Sequence, residues 1–122
     1  MTFDVSGSER EILEYLWENP QGMKSRDMLE YFNTNKGKDW KKQTLNTFLL
    51  RLKDKGLISN EKINGKKIYH AVYNETEYET KKAEKVLDVF YGGSVSNFIM
   101  ALSGGEKIDE KMAQELRALL KE

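Results

Sequence analysis

Apolar positions recur along the chain at a helical spacing, give way to a short extended stretch, and then return to the helical spacing. From Ser6 onward, Ile12, Leu13, Leu16 and Trp17 define one helical face. Ser6 with Glu9 three residues later is a capping-box pair, and Ser8 with Glu11 repeats the pattern, so the helix start is set to within two residues. Asn19-Pro20-Gln21-Gly22 stops that helix. Ser25 is a candidate N-cap for a short second helix with Met28, Leu29 and Phe32 inward, and Asn33–Lys38 reads as a polar loop. A third helix is predicted from about Lys41 to Lys55. Its inner stripe is Leu45, Phe48, Leu49 and Leu52, and Gly56 ends it with Lys53 and Lys55 in the last turn. The opposite side carries Gln43, Thr47, Leu50 and Asp54, flanked by Thr44, Asn46 and Arg51.

The extended stretch follows. Leu57–Ile63 and Lys66–Val72 flank Asn64-Gly65, a dipeptide whose tolerance of positive φ at both positions suits a type I′ hairpin turn. Lys62, Lys66 and Lys67 gather at its tip. Beyond Asn74 the helical spacing returns: Thr76-Glu77-Tyr78-Glu79 opens a helix that runs to Gly92-Gly93, and a second spans Ser94 to Leu102. Asp109 is the candidate N-cap of a last one. Three such helices joined by glycine loops cannot bury their apolar positions alone, so a second copy of the chain is expected to cover them. The expected fold is mostly α with a small β-hairpin: a winged helix-turn-helix domain over residues 1–73, then an α-helical dimerisation domain over 74–122. The residues expected at the subunit contact are Tyr78, Val86, Leu87, Phe90, Tyr91, Phe98, Ile99, Leu102, Met112, Leu116, Leu119 and Leu120.

Composition removes most chemistry. The 122 residues contain no cysteine and one histidine, which leaves no disulfide, thiolate metal site or cysteine nucleophile and little for a catalytic triad. His70 is expected to be an ordinary strand residue, and no metal, cofactor or enzymatic activity is expected. No apolar run approaches the roughly 20 residues of a bilayer span, and Met-Thr-Phe-Asp-Val is unlike a signal peptide, so a cytoplasmic protein without membrane insertion is expected. The net charge is zero, yet it is unevenly spread. Residues 36–72 hold ten basic side chains against three acidic ones, a surplus of +7, whereas residues 1–35 and 73–122 carry −4 and −3. The positive charge therefore coincides with the third helix and the hairpin, as a phosphate-binding surface requires.

Helix, helix, helix and basic-tipped hairpin is the winged helix-turn-helix order. Two stretches carry a more specific likeness: Glu9-Arg10-Glu11-Ile12-Leu13-Glu14-Tyr15-Leu16-Trp17, and Trp40 through Leu57 with its Thr44-Leu45-Asn46-Thr47-Phe48-Leu49-Leu50-Arg51-Leu52 core and Lys55-Gly56. Glu77-Tyr78, Tyr91-Gly92-Gly93-Ser94 and Gln114-Glu115-Leu116-Arg117-Ala118-Leu119-Leu120 extend it over nearly the whole chain. The sequence resembles the penicillinase-repressor (BlaI/MecI/CopY) family. That resemblance implies a homodimeric transcriptional repressor on dyad-symmetric operator DNA. It also implies a link to a membrane sensor-protease pathway for β-lactams that inactivates the repressor by proteolysis in its C-terminal domain. The chain departs from the family twice. The copper-responsive branch carries a cysteine metal motif that is missing here. The Asn-Phe bond cut in the β-lactam branch aligns with Ala101-Leu102, while Asn97-Phe98 lies four residues earlier, and Phe98 is expected to be an ordinary core residue.

The residues expected to meet double-stranded DNA are Lys41, Lys42, Gln43, Thr44, Asn46, Thr47 and Arg51 on the third helix and Lys62, Lys66 and Lys67 on the wing. Trp40 is read equally as a backbone-contacting aromatic or as packing under the third helix. The alternative function is a winged-helix protein-interaction module whose lysines only keep the wing soluble.

Overall fold

The computed structural model describes residues 3–105 and 108–120, with side chains described through residue 118. In chain order it comprises α1 (Gly7–Glu18), α2 (Ser25–Asn35), α3 (Lys42–Asp54), β1 (Ile58–Ile63), β2 (Lys66–Ala71), α4 (Glu75–Tyr91), α5 (Val95–Leu102) and α6 (Glu110–Leu120). The fold is mostly helical with one antiparallel hairpin, in the winged-helix order followed by helices.

Local chemistry sets most boundaries. At α1 the Ser6 hydroxyl accepts the Glu9 N–H at 3.2 Å, and the Glu9 carboxylate accepts the Ser6 N–H at 3.0 Å. At the end of α3, Gly56 takes φ +77°. Its N–H reaches the Lys53 carbonyl and the Leu57 N–H reaches the Leu52 carbonyl, which completes a Schellman stop. Asn64 (φ 53°) and Gly65 (φ 79°) form the expected hairpin turn. Asp109 caps α6 by accepting the Met112 N–H at 2.8 Å.

Two starts differ from expectation. Ser25 is the first residue of α2 rather than its cap. The Met23 backbone is already engaged with Tyr69, Lys24 stays extended as the cap residue, and the helix begins one residue earlier than expected. The helix expected from Thr76 begins at Glu75, because Asn74 and Glu77 form a second capping box at 2.8 and 2.9 Å.

The chain forms two compact units that divide between Lys82 and Ala83, further along than the change of charge near residue 74. In the first unit, Ile12, Leu13 and Leu16 of α1 pack with Met28 and Phe32 of α2 and Leu45, Leu49 and Leu52 of α3. Leu57, Ile58 and Tyr69 of the wing close one side. Phe3 and Tyr78 close another: the Tyr78 hydroxyl donates to the Phe3 carbonyl at 2.6 Å, and the rings meet edge-on at 5.9 Å. Tyr78 was expected at a subunit contact. It is 1% exposed instead, a core residue of the first unit with no surface left for a second chain. Arg10 holds the same turns of α4 through Glu79 at 2.9 Å and Glu75 at 3.5 Å.

The second unit has a different character. None of the described side chains of α5 is buried. Tyr91 and Phe98 meet at 5.2 Å between ring centroids, and Leu87, Ile99, Met112 and Leu116 are half-buried. Val86 and Leu102 are exposed, and Phe90 reaches 72% exposure. The expectations at Leu119 and Leu120 fall outside the described side chains.

An ion pair also lies inside the first unit. Glu9 is buried, and both of its oxygens meet the Lys55 ammonium at 2.8 and 3.0 Å, while the same ammonium donates to the Asp4 carbonyl at 2.8 Å. Burial pushes the Glu9 carboxyl up, but the Lys55 hydrogen bonds, the Ser6 N–H and the Ser6 hydroxyl outweigh it and hold the carboxyl below its ordinary range. The ion pair therefore stabilises the fold above the ordinary glutamate value, and that contribution is lost as pH falls through the lowered one. Replacing Lys55 by Met leaves a buried, unpaired carboxylate. Lys55→Met is expected to cost about 2–4 kcal/mol at neutral pH. Burial then raises the Glu9 pKa, so the variant should regain stability between pH 7 and pH 5, where the wild type gains none from this group. Chemical denaturation at the two pH values checks the sign; equal stability of the two proteins at pH 7 would remove the ion pair from this role.

Candidate nucleic-acid interface

The start of α3 is fixed from below. The Asn33 side chain brackets Trp40, its Oδ1 accepting the Trp40 N–H and its Nδ2 donating to the Trp40 carbonyl, both at 2.9 Å. The Trp40 ring lies 4.8 Å from Phe32 and 5.2 Å from Phe48. Trp40 therefore packs under the helix, the second of its two readings. Phe48, expected in the inner stripe, is only half-buried: it packs against the indole at the edge of the core, while Leu45, Leu49 and Leu52 fill it.

With that stripe buried, the opposite face is fixed outward. Lys41, Lys42, Gln43, Asn46, Thr47 and Arg51 are exposed, and Thr44 is half-buried. The Thr47 hydroxyl donates to the Gln43 carbonyl at 3.0 Å, so its proton is used within the helix and its lone pairs and methyl remain for an outside partner. Lys41, Lys42 and Arg51 form no ion pair with any described residue, whereas Arg10, Lys38 and Lys55, on the supporting side, are all paired.

The wing is anchored by a contact that the sequence did not announce. Met23 bridges Tyr69 in antiparallel fashion, its N–H donating at 3.0 Å and its carbonyl accepting at 2.8 Å. This isolated bridge ties the hairpin to the α1–α2 connection. Gly22, at φ +91°, permits it: a Cβ there would stand 2.5 Å from Ile68 Cγ2 and 2.6 Å from His70 Cε1. In the sequence Gly22 read only as part of a helix stop. His70 is an ordinary strand residue, its Nε2 at 3.1 Å from the Glu61 carboxylate.

The register divides the wing lysines between two faces. Lys62 lies directly opposite Lys67, and Ile63 opposite Lys66. Lys62 and Lys67 thus share one face, while Lys66 shares the other with Ile68 and His70. Like charges directly opposite across a hairpin are destabilising, and none of these three lysines forms an ion pair with a described residue. A pair held against its own repulsion is suited to an anionic partner. No group of three His, Asp or Glu able to hold a metal ion occurs among the described residues, and no described helix is long and apolar enough to cross a membrane.

Comparison with known proteins places this arrangement. The model of the penicillinase repressor family matches residues 5–122. The methicillin resistance regulatory protein MecI of Staphylococcus aureus (strain N315) is 24% identical over 119 residues, covering 98% of this chain and 94% of that protein. The penicillinase repressors of Bacillus licheniformis and Staphylococcus aureus are each 23% identical, covering 97% and 96% of this chain and 90% of each relative. These relatives are named as regulators and repressors, not as enzymes. Matched along almost its whole length, the chain belongs to the penicillinase repressor family.

Proposed function

We propose that the protein is a homodimeric transcriptional repressor that lays α3 in the major groove of a dyad-symmetric operator and rests its wing on the phosphate backbone. The observation that carries this reading is the unpaired, exposed cationic and amide face of α3 beside a wing that holds Lys62 and Lys67 together at a cost. The amides of Gln43 and Asn46 suit base edges, Arg51 suits a guanine or a phosphate, and the wing lysines suit the backbone, which carries no sequence information. The relatives' names, a methicillin resistance regulator and penicillinase repressors, favour a β-lactam-resistance type of regulon.

Dimerisation is assigned to the second unit. Val86, Val89, Phe90, Val95, Met100 and Leu102 are exposed there, more apolar surface than an eight-residue α5 and its neighbours cover. A second copy would bury it and would bring two α3 faces to the two half-sites, so that the second contact becomes intramolecular. Loss of the second unit would then release DNA. Proteolysis there, driven by a membrane sensor-protease pathway, is the signal the family likeness favours. Asn97-Phe98 lies inside α5, whose lack of buried side chains makes local opening of that helix inexpensive.

Three sets of substitutions test this reading. Phe90→Lys with Leu102→Lys, both at exposed positions, should yield folded monomers in sedimentation at micromolar concentration; a monomeric wild type would remove the dimer. Lys67→Thr should stabilise the free protein by roughly 0.2–1 kcal/mol by relieving the facing charges. The same substitution should weaken binding to every duplex and lower the slope of log affinity against log salt by about 0.9 per lost phosphate contact. An unchanged slope would take Lys67 off the backbone. Gln43→Ala should cost roughly 1–3 kcal/mol on a selected operator and much less on random duplex at the same salt. Equal losses would reduce Gln43 to a positioning role, and a wild type without salt-dependent duplex binding would overturn the DNA reading in favour of a protein-interaction module.

A further inference from the structure

We infer that Leu50 is a specificity-determining residue that reads thymine through its C5 methyl group. The inference rests on the DNA-binding reading above and names the base feature that this part of α3 recognises. Among the described residues of the first unit, the large apolar side chains left exposed are Leu50, Ile63 and Val72, and Leu50 is the most exposed of them at 60%. A single surface leucine is ordinary by itself. Its surroundings are not. Leu50 lies on the face opposite Leu45, Leu49 and Leu52, with the exposed Asn46 and Thr47 one turn before it and Arg51 beside it. Nothing within the unit covers it, and packing of the core does not call for an apolar group there.

Helix geometry places Leu50 in line with the amide side chains. Seven residues separate it from Gln43, which is two turns less about 20°, so the two point in nearly the same direction about 10 Å apart along the axis. Any surface that receives Gln43 and Thr47 also receives Leu50. The major-groove floor is lined with hydrogen-bond donors and acceptors, and the apolar group it offers is the thymine methyl. Over a polar base edge, Leu50 would desolvate a donor or acceptor without replacing its hydrogen bond; over a thymine it would bury methyl against methyl. Arg51 beside it and Lys42 at the helix start fit the flanking phosphates, while the exposed Asp54 one turn later suits the solvent-facing edge of the groove rather than a phosphate. The spacing sets the expected position: at 3.4 Å per step, the thymine lies roughly two to four base pairs from the pair met by Gln43.

The test uses the full-length dimer and a duplex recovered by selection from random-sequence DNA. Each thymine is replaced in turn by deoxyuridine, which keeps the pairing edge and the O4 acceptor and lacks only the methyl. For the wild type, uracil at one position per half-site should weaken binding roughly three- to tenfold. Leu50→Ala should bind the thymine duplex with a similar loss and should no longer distinguish thymine from uracil at that position. Leu50→Met, which keeps apolar reach, should retain the distinction. Alanine at an exposed helical position favours the helix, so an unchanged melting temperature confirms that the variant is folded. The inference is overturned if no uracil affects the wild type, or if the uracil loss is the same in Leu50→Ala. The DNA reading fails separately, and takes the inference with it, if selection recovers no preferred duplex.

Discussion

Burial of Leu45, Leu49 and Leu52 is the constraint on which the rest of the molecule depends. These three side chains leave α3 no freedom to rotate, because turning the helix would expose them and drive Gln43, Thr47 and Arg51 into an apolar core without hydrogen-bond partners. Both ends of the helix are then fixed by polar contacts. Asn33 holds Trp40 at the start, and the buried Glu9 holds Lys55 at the end. Because Glu9 also caps α1, one carboxylate sets the beginning of the first helix and the end of the third. The outward face is thus a rigid consequence of the inward one.

The wing follows a different logic. Its turn is local chemistry, but its placement depends on Met23 pairing with Tyr69 and on the open space at Gly22. The hairpin is therefore carried by the α1–α2 connection and by Tyr69 in the core, while its tip is left to solvent with two facing lysines. A structure that spends stability at a tip and secures the base fits a part whose partner is polyanionic.

The first turns of α4 belong to the same packed body as the helices before it. Tyr78 reaches the Phe3 carbonyl, and Arg10 grips Glu75 and Glu79 while its guanidinium lies 5.0 Å from the Trp17 ring centroid. The second unit, by contrast, has apolar side chains in excess of what its own short helices bury. The chain thus concentrates its finished packing in one unit and its unsatisfied apolar surface in the other.

Whatever short-range chemistry decides is written in the amino-acid sequence. Capping at Ser6 and Asp109, the glycine stop at Gly56, the Asn64-Gly65 turn and the inner stripe of α3 all rest on interactions within a few residues, and each was legible as a pattern. The concentration of positive charge in residues 36–72 and the resemblance of the Trp40–Leu57 stretch were legible in the same way. The tertiary structure decided where contacts span distant parts of the chain. Tyr78 sits at helical spacing on an amphipathic segment, which identifies an apolar face but not what covers it; only contact with Phe3, 75 residues away, made it a core residue of the first unit. Met23 carries no strand pattern of its own, because one bridging residue is too short to have a period. The opposition of Lys62 and Lys67 required the register that the turn and Tyr69 impose together, and the burial of Glu9 required Lys55 to arrive from the far end of α3. Periodicity shows which side of an element is apolar, but the partner of that side is fixed only when the whole chain has packed.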